Sequence, residues 1–213
     1  MLLHLVKKDI LLVKKYLLFT LLTVIAIPLF IMVRIPVFLG FNTFLISVIF
    51  AEFMLYQYVS MAEMKYPKAT ALLCATPYSR SMLVKARYTF LLLIFAYCYV
   101  AYTVLALLVP KVEYLPLLSV LTALLISTIL FGIYTPIQYK LGYERTKYFF
   151  SIVIVATPFI LPALSKVDIR FDFSVLSTMS MLTKCLILFV AIIAILYISL
   201  IVSIKIYSKK DLL

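Results

Sequence analysis

Six runs of apolar residues, most of them close to 20 long, follow one another along the chain, with charge concentrated in the gaps between them: 16–33, 37–59, 88–109, 115–138, 148–164 and 182–204. Each is of the length that crosses a hydrocarbon core of about 30 Å. The runs are continuous rather than alternating, which predicts helices and not barrel strands. The pattern therefore predicts an all-α integral membrane protein with six transmembrane helices in a single transmembrane domain, 1–213. Ahead of the first run, "MLLHLVKKDILLVKKY" has helical periodicity. At 100° per residue His4, Lys7, Lys8, Lys14 and Lys15 share one sector and Leu2, Leu3, Leu5, Val6, Ile10, Leu12 and Val13 the opposite half, with Asp9 and Leu11 out of place. This predicts an amphipathic helix at 1–15 lying on a membrane surface.

The connections sharpen the picture. Two are minimal, 34–36 and 110–114, and leave no room for a domain. The last, 165–183, alternates Asp168, Arg170 and Asp172 with Phe171, Phe173 and Val175, the pattern of a short segment resting at the interface. The fifth run carries Pro158 and Pro162 four residues apart, which predicts a bent or broken helix. The first run is too long for a signal peptide and has no A-x-A site after it, so it is expected to remain as an anchor.

Composition agrees: 66% of the 213 residues are hydrophobic, 13% are charged and the mean hydropathy is +1.19, beyond what a water-facing surface allows. The net charge of +12 is unevenly placed. Fifteen of the twenty basic residues fall at the two termini and in the gaps after the second and fourth runs. By the positive-inside rule both termini and the 66–87 segment are cytoplasmic, and the charge serves topology and lipid headgroups rather than nucleic acid.

Most chemistries are excluded by what is missing. One histidine, His4, cannot build a metal cluster or a catalytic triad. Cys74, Cys98 and Cys185 lie in separate segments without CxxC spacing, and Gly40, Gly132 and Gly142 make no GxxxxGK[ST] phosphate loop. One acid, Glu52, lies inside the second span, where a charge costs about 2.5 to 3.5 kcal/mol on insertion scales. It must face protein or water. Two roles fit it: the polar wall of a substrate path, with Gln57 and the Pro158 and Pro162 break, or a carboxylate hydrogen-bonded to a neighbouring helix through a tyrosine hydroxyl. A proton-coupled secondary transporter using Glu52 is the alternative overall reading, weakened because only one helix is clearly interrupted where such folds show paired interruptions.

The 66–87 segment, "YPKATALLCATPYSRSMLVKAR", is the conspicuous cytoplasmic feature. Pro67 opens a short helix, Thr76-Pro77 interrupts it as an N-cap followed by proline at N1, and a second helix runs into the third span with Met82 and Leu83 on one face and Arg80, Lys85 and Arg87 exposed. The order Glu63, Lys65, Leu72, Leu73, Thr76, Pro77, Ser79, Arg80, Leu83, Val84, Arg87, Tyr88 resembles the loop after the second helix in permease subunits of bacterial ABC exporters; Thr76 stands where that family frequently has Leu.

The resemblance implies coupling helices, with Ala69, Leu72, Leu73, Thr76, Pro77, Ser79, Arg80, Met82, Leu83 and Lys85 as the surface that docks on a separate ATPase. It further implies two ATPase copies, a second permease copy in a homodimer, and a bacterial cytoplasmic membrane. ATP and magnesium would be bound by the partner, leaving this chain non-catalytic and without a cofactor of its own. The short six-helix form is similar to exporters of antimicrobial peptides and phenol-soluble modulins.

The charge tally makes a direct prediction. Single cysteines at positions 68 and 145 react with a membrane-impermeant maleimide only from the cytoplasmic side, and those at 111 and 170 only from outside; labelling of position 68 from outside contradicts the topology.

Overall fold

A computed structural model describes residues 2–34, 39–66, 79–149, 152, 156 and 180–209. Among them there are five long helices and no strand: α1 (Leu2–Arg34), α2 (Phe41–Lys65), α3 (Arg80–Leu108), α4 (Leu117–Leu141) and α5 (Met181–Ser208). Each is long and apolar enough to cross a membrane. Residues 143–149 are helical again after Gly142. The expected 148–164 span lies outside the described residues apart from helical positions 148, 149, 152 and 156, and so do Pro158, Pro162 and nearly all of 165–183.

The first expected boundary is not there. The 1–15 segment and the 16–33 span are one uninterrupted helix of 33 residues, about 50 Å long at helical rise. No glycine occurs in it and Pro28 is its first proline, so nothing in its first 26 residues stops it. One buried stripe, Leu5, Val6, Asp9, Val13, Thr20, Val24 and Pro28, runs its whole length. Leu3, Leu11 and Leu12 are exposed instead, and Asp9, the residue that broke the amphipathic pattern, sits in the middle of the buried stripe. Hydropathy marks where lipid begins, not where a helix ends. For the same reason α2 continues to Lys65, α3 starts at Arg80 and α5 reaches Ser208, all beyond the apolar runs.

α2 is the central element: 67% of its most apolar window is buried, against 17% for α1 and 11% for α5. It packs with α1 and α3 as a triangle, and α4 pairs closely with α5 beside it. Since lipid tails are as apolar as leucine, the helices gain little from hydrophobicity alone and are held by close packing and polar contacts. Phe53 of α2 lies 4.5 Å, ring to ring, from Phe131 and 5.2 Å from Tyr134, both of α4. Towards the other end of α2, Phe44 meets Phe95 and Tyr102 of α3 edge-on. Tyr16 of α1 stacks on Tyr58 of α2 at 3.6 Å. The α4–α5 pair is fastened by Ser199 Oγ, which donates to the Gly132 carbonyl at 2.7 Å, and the Tyr88 hydroxyl joins α3 to Ser199 and Ser203 of α5.

The helices align so that one end of the bundle gathers the start of α1, the end of α2, the start of α3 and the ends of α4 and α5. Gly142 closes α4 there with φ +82°, a conformation that suits glycine, and its N–H donates to Gln138 O at 2.8 Å. The 66–87 segment leaves from the same end.

Candidate functional site

The 66–87 segment departs from α2 at Tyr66 and rejoins α3 at Ser79. Residues 67–78 lie outside the described residues, and with them Ala69, Leu72, Leu73, Thr76 and Pro77. Its second limb is described. Ser79 caps α3, its side chain accepting from the Met82 N–H at 3.4 Å. Arg80 Nη1 donates to the carbonyl of Ser208 at 2.9 Å, where a terminal carbonyl of α5 lacks an intrahelical partner. Met82 and Leu83 are half-buried and pack against Leu5, Val6 and Ala86, so the start of α1 covers part of the face expected to meet a partner. Lys85 is exposed as expected.

Arg87 is the correction. Expected on the surface, it retains 4% of its exposure. Its position on α3 turns it under the bundle, where Nη2 lies 2.6 Å from Glu63 Oε2 of α2 and the guanidinium sits 5.3 Å from the ring centroid of Tyr56. Glu63 Oε1 in turn lies 3.3 Å from Lys8 Nζ, and Lys8 lies 3.0 Å from Asp9 Oδ1, both on α1. Two cations and two anions from three helices thus form one neutral group. Tyr139 of α4 and Tyr207 of α5, their rings 5.0 Å apart, join Leu5, Leu83 and Ala86 to wall a cavity of ≈ 30 Å³ against it. All five described helices meet at this point.

A buried ion group of this kind is a poor source of net stability but a strict one to break. Removing one partner strands a charge and costs about 3–5 kcal/mol. Arg87 is well suited to the position, because its planar fork fixes an angle as well as a distance and its charge is not lost on burial.

The second polar feature is Glu52. It is 2% exposed and sits near the middle of α2, deeper from the Lys65 end than the apolar run suggests. Its Oε2 is buried without a hydrogen-bond partner. Beside it is a cavity of ≈ 20 Å³ walled by Tyr88, Ser127, Thr128, Phe131 and Gly132 among others, enough for one water molecule. Tyr88 and Tyr134 spend their hydroxyls elsewhere, on Ser199 and Ser203 and on Gln57 respectively. Gln57 therefore serves an α2–α4 contact, its Nε2 donating to Tyr134 OH, while it also lines a cleft of ≈ 370 Å³ with Met54, Tyr58, Met61, Tyr143, Lys147 and Tyr148. The structure does not bring Glu52 and Gln57 into one cavity.

Sequence reasoning missed the joint role of Lys8, Asp9, Glu63 and Arg87. Two signals were available: an acid on the wrong side of a basic amphipathic segment, and an acid two residues before Lys65 in a stretch otherwise read as basic. Among the described residues no group of three metal-binding side chains occurs.

The family model described as ABC-2 family transporter protein matches residues 4–208, which takes in nearly the whole of the five helices and all of the 66–87 segment. No curated protein and no solved structure matches the chain.

The orphaned carboxylate of Glu52 generates a prediction. A buried acceptor without a donor destabilises by about 1–3 kcal/mol, so Glu52→Leu leaves thermal stability in detergent unchanged or raises it. A midpoint several degrees lower would show instead that Glu52 holds neighbouring helices through a hydrogen bond.

Proposed function

The chain belongs to the ABC-2 family of transporter proteins, and from that premise we propose that it is one of two identical permease subunits of an ATP-driven exporter. As an ABC transporter permease it is a multi-pass membrane protein that works with an ABC ATPase. The energy comes from that partner, since this sequence has no phosphate loop, and two ATPase copies serve two permeases. The permease itself is non-catalytic and carries no cofactor.

The single observation behind this reading is the family match across residues 4–208. The fold supplies supporting detail. The start of α1, the end of α5 and both ends of the 66–87 segment share one end of the bundle, in keeping with cytoplasmic termini and a cytoplasmic loop in a bacterial plasma membrane. We assign the docking surface to Ala69, Leu72, Leu73, Thr76, Pro77, Arg80 and Lys85, with Met82 and Leu83 backing it from within. Glu52 and the Pro158–Pro162 stretch line the path between the two permease copies.

The substrate class is the one the family resemblance suggests, and the ≈ 370 Å³ cleft is in keeping with it. Methionines adapt to varied apolar shapes, tyrosine rings present one greasy and one polar end, and Lys147 and Gln57 add polar contacts. Such a lining suits an amphipathic peptide, including antimicrobial peptides. The proton-coupled alternative rests on Glu52 alone and gains nothing from the family match.

The test is retention of an ATPase. Leu73→Asp places a charge in an apolar groove and is expected to lower the amount of ABC ATPase that co-purifies with the full-length chain at least tenfold, with the spans still inserted by cysteine labelling. Co-purification at the wild-type level would remove the 66–87 segment as the docking element.

A further inference from the structure

We propose that Arg87 is a positioning residue for energy coupling: through Glu63 it fastens the first turns of α1 to the end of α2 and the start of α3, so that these three helix ends move as one body. The proposal rests on the exporter reading. Its own basis is the convergence of three helices on one ion group, in which Glu63 of α2 bridges Lys8 of α1 and Arg87 of α3.

Glu63 lies three residues before α2 ends its last turn at Tyr66, and Arg87 lies two turns into α3. Their 2.6 Å contact therefore closes the segment at its base, like a staple across the neck of a loop. Lys8 and Asp9 extend the same contact to α1, and Leu5 and Val6 pack on Met82, Leu83 and Ala86 just beside it. Apolar contacts of that kind are non-directional and tolerate sliding. The ion group is more directional, because Nη2 of the guanidinium meets a carboxylate oxygen at 2.6 Å and its carbon lies 5.3 Å from the centroid of the Tyr56 ring.

Exposure divides the group: the Arg87 and Asp9 side chains are each 4% exposed, against 29% for Lys8 and 33% for Glu63. Loss of Lys8 would leave Glu63 to Arg87 and to water. Loss of Arg87 leaves Lys8 shared between Glu63 and the buried Asp9, which lowers stability as breaking such a group does, and α3 is no longer joined through Glu63 to α1 by a directed contact. Displacement of the 66–87 segment by a partner would then be absorbed locally instead of reaching the full length of α1.

The experiment has two arms, both with full-length chain in which Cys74, Cys98 and Cys185 are replaced by alanine. In the first, spin labels at positions 7 and 85, both exposed, report the distance between α1 and α3 in the chain alone. Arg87→Gln is expected to broaden that distance distribution at least twofold, and an unchanged width overturns the proposal.

In the second arm, ATP hydrolysis is measured in complex with the ABC ATPase that co-purifies with the wild-type chain. Arg87→Gln is expected to lower permease-stimulated hydrolysis at least fivefold with the ATPase still bound. Joining cysteines placed at Leu5 and Ala86, which share one buried cluster, as a disulfide formed under oxidation and verified by gel mobility is expected to restore at least half of it, because the covalent link does what the guanidinium did. Hydrolysis undiminished in Arg87→Gln, or diminished and not restored by the link, overturns the proposal. Failure of the wild-type chain to hold any ATPase overturns the exporter reading and the coupling role with it, while the spin-label arm still reports whether Arg87 fixes α1.

Discussion

A guanidinium taken out of water needs an opposite charge, and in this bundle that requirement gathers the helix ends, with Nη2 on Glu63 and Nη1 buried without a hydrogen-bond partner. Arg87 draws Glu63 from α2; Glu63 draws Lys8 from α1; Asp9 balances Lys8 within the buried stripe; Tyr139 and Tyr207 bring α4 and α5 against the group. Within lipid the helices have little hydrophobic reason to prefer one another, so such polar contacts and the aromatic packing around Phe53 choose the arrangement. The extension of α1, α2, α3 and α5 beyond their apolar runs follows: the charged residues that meet here, and the Arg80 contact to Ser208, belong to those extensions.

Glu52 and Glu63 show opposite solutions for an acid in a membrane protein. Glu63 is matched by two cations and fixes geometry. Glu52 is buried with one oxygen unmatched beside a water-sized cavity, which organises nothing and is tolerated where a site needs it. In an ABC-2 family chain this contrast separates the part that we propose transmits force from the part that we assign to the substrate path.

The class and the five described spans were legible because an apolar run of about 20 residues matches the thickness of a bilayer and exceeds what a soluble core asks of one helix. The family resemblance was legible because the 66–87 segment departs so sharply from the lipid-soluble sequence around it. Helix ends were not. Hydropathy reports the solvent of each residue, and α1 continues across the expected change of solvent without a break, since Leu2 to Ile27 contains no glycine or proline. The burial of Arg87 was invisible for a different reason: its setting depends on residues distant in the chain, Lys8 and Glu63 being 55 positions apart. Local periodicity placed it beside Arg80 and Lys85, which remain nearer the surface. The same periodicity correctly put Met82 and Leu83 on one face, but could not say that Leu5 and Val6 would cover part of it.

The central claim is that Arg87 and Glu63 act on each other and thereby hold the helix ends. A double-mutant cycle with Glu63→Gln, Arg87→Gln and the combined variant, read as unfolding free energy of the full-length chain in mixed micelles, tests it most directly. The account predicts a coupling energy of about 1–3 kcal/mol, in the range of residues that share one ionic network. Simple additivity of the two single changes would mean that the ends of the bundle are assembled by something else.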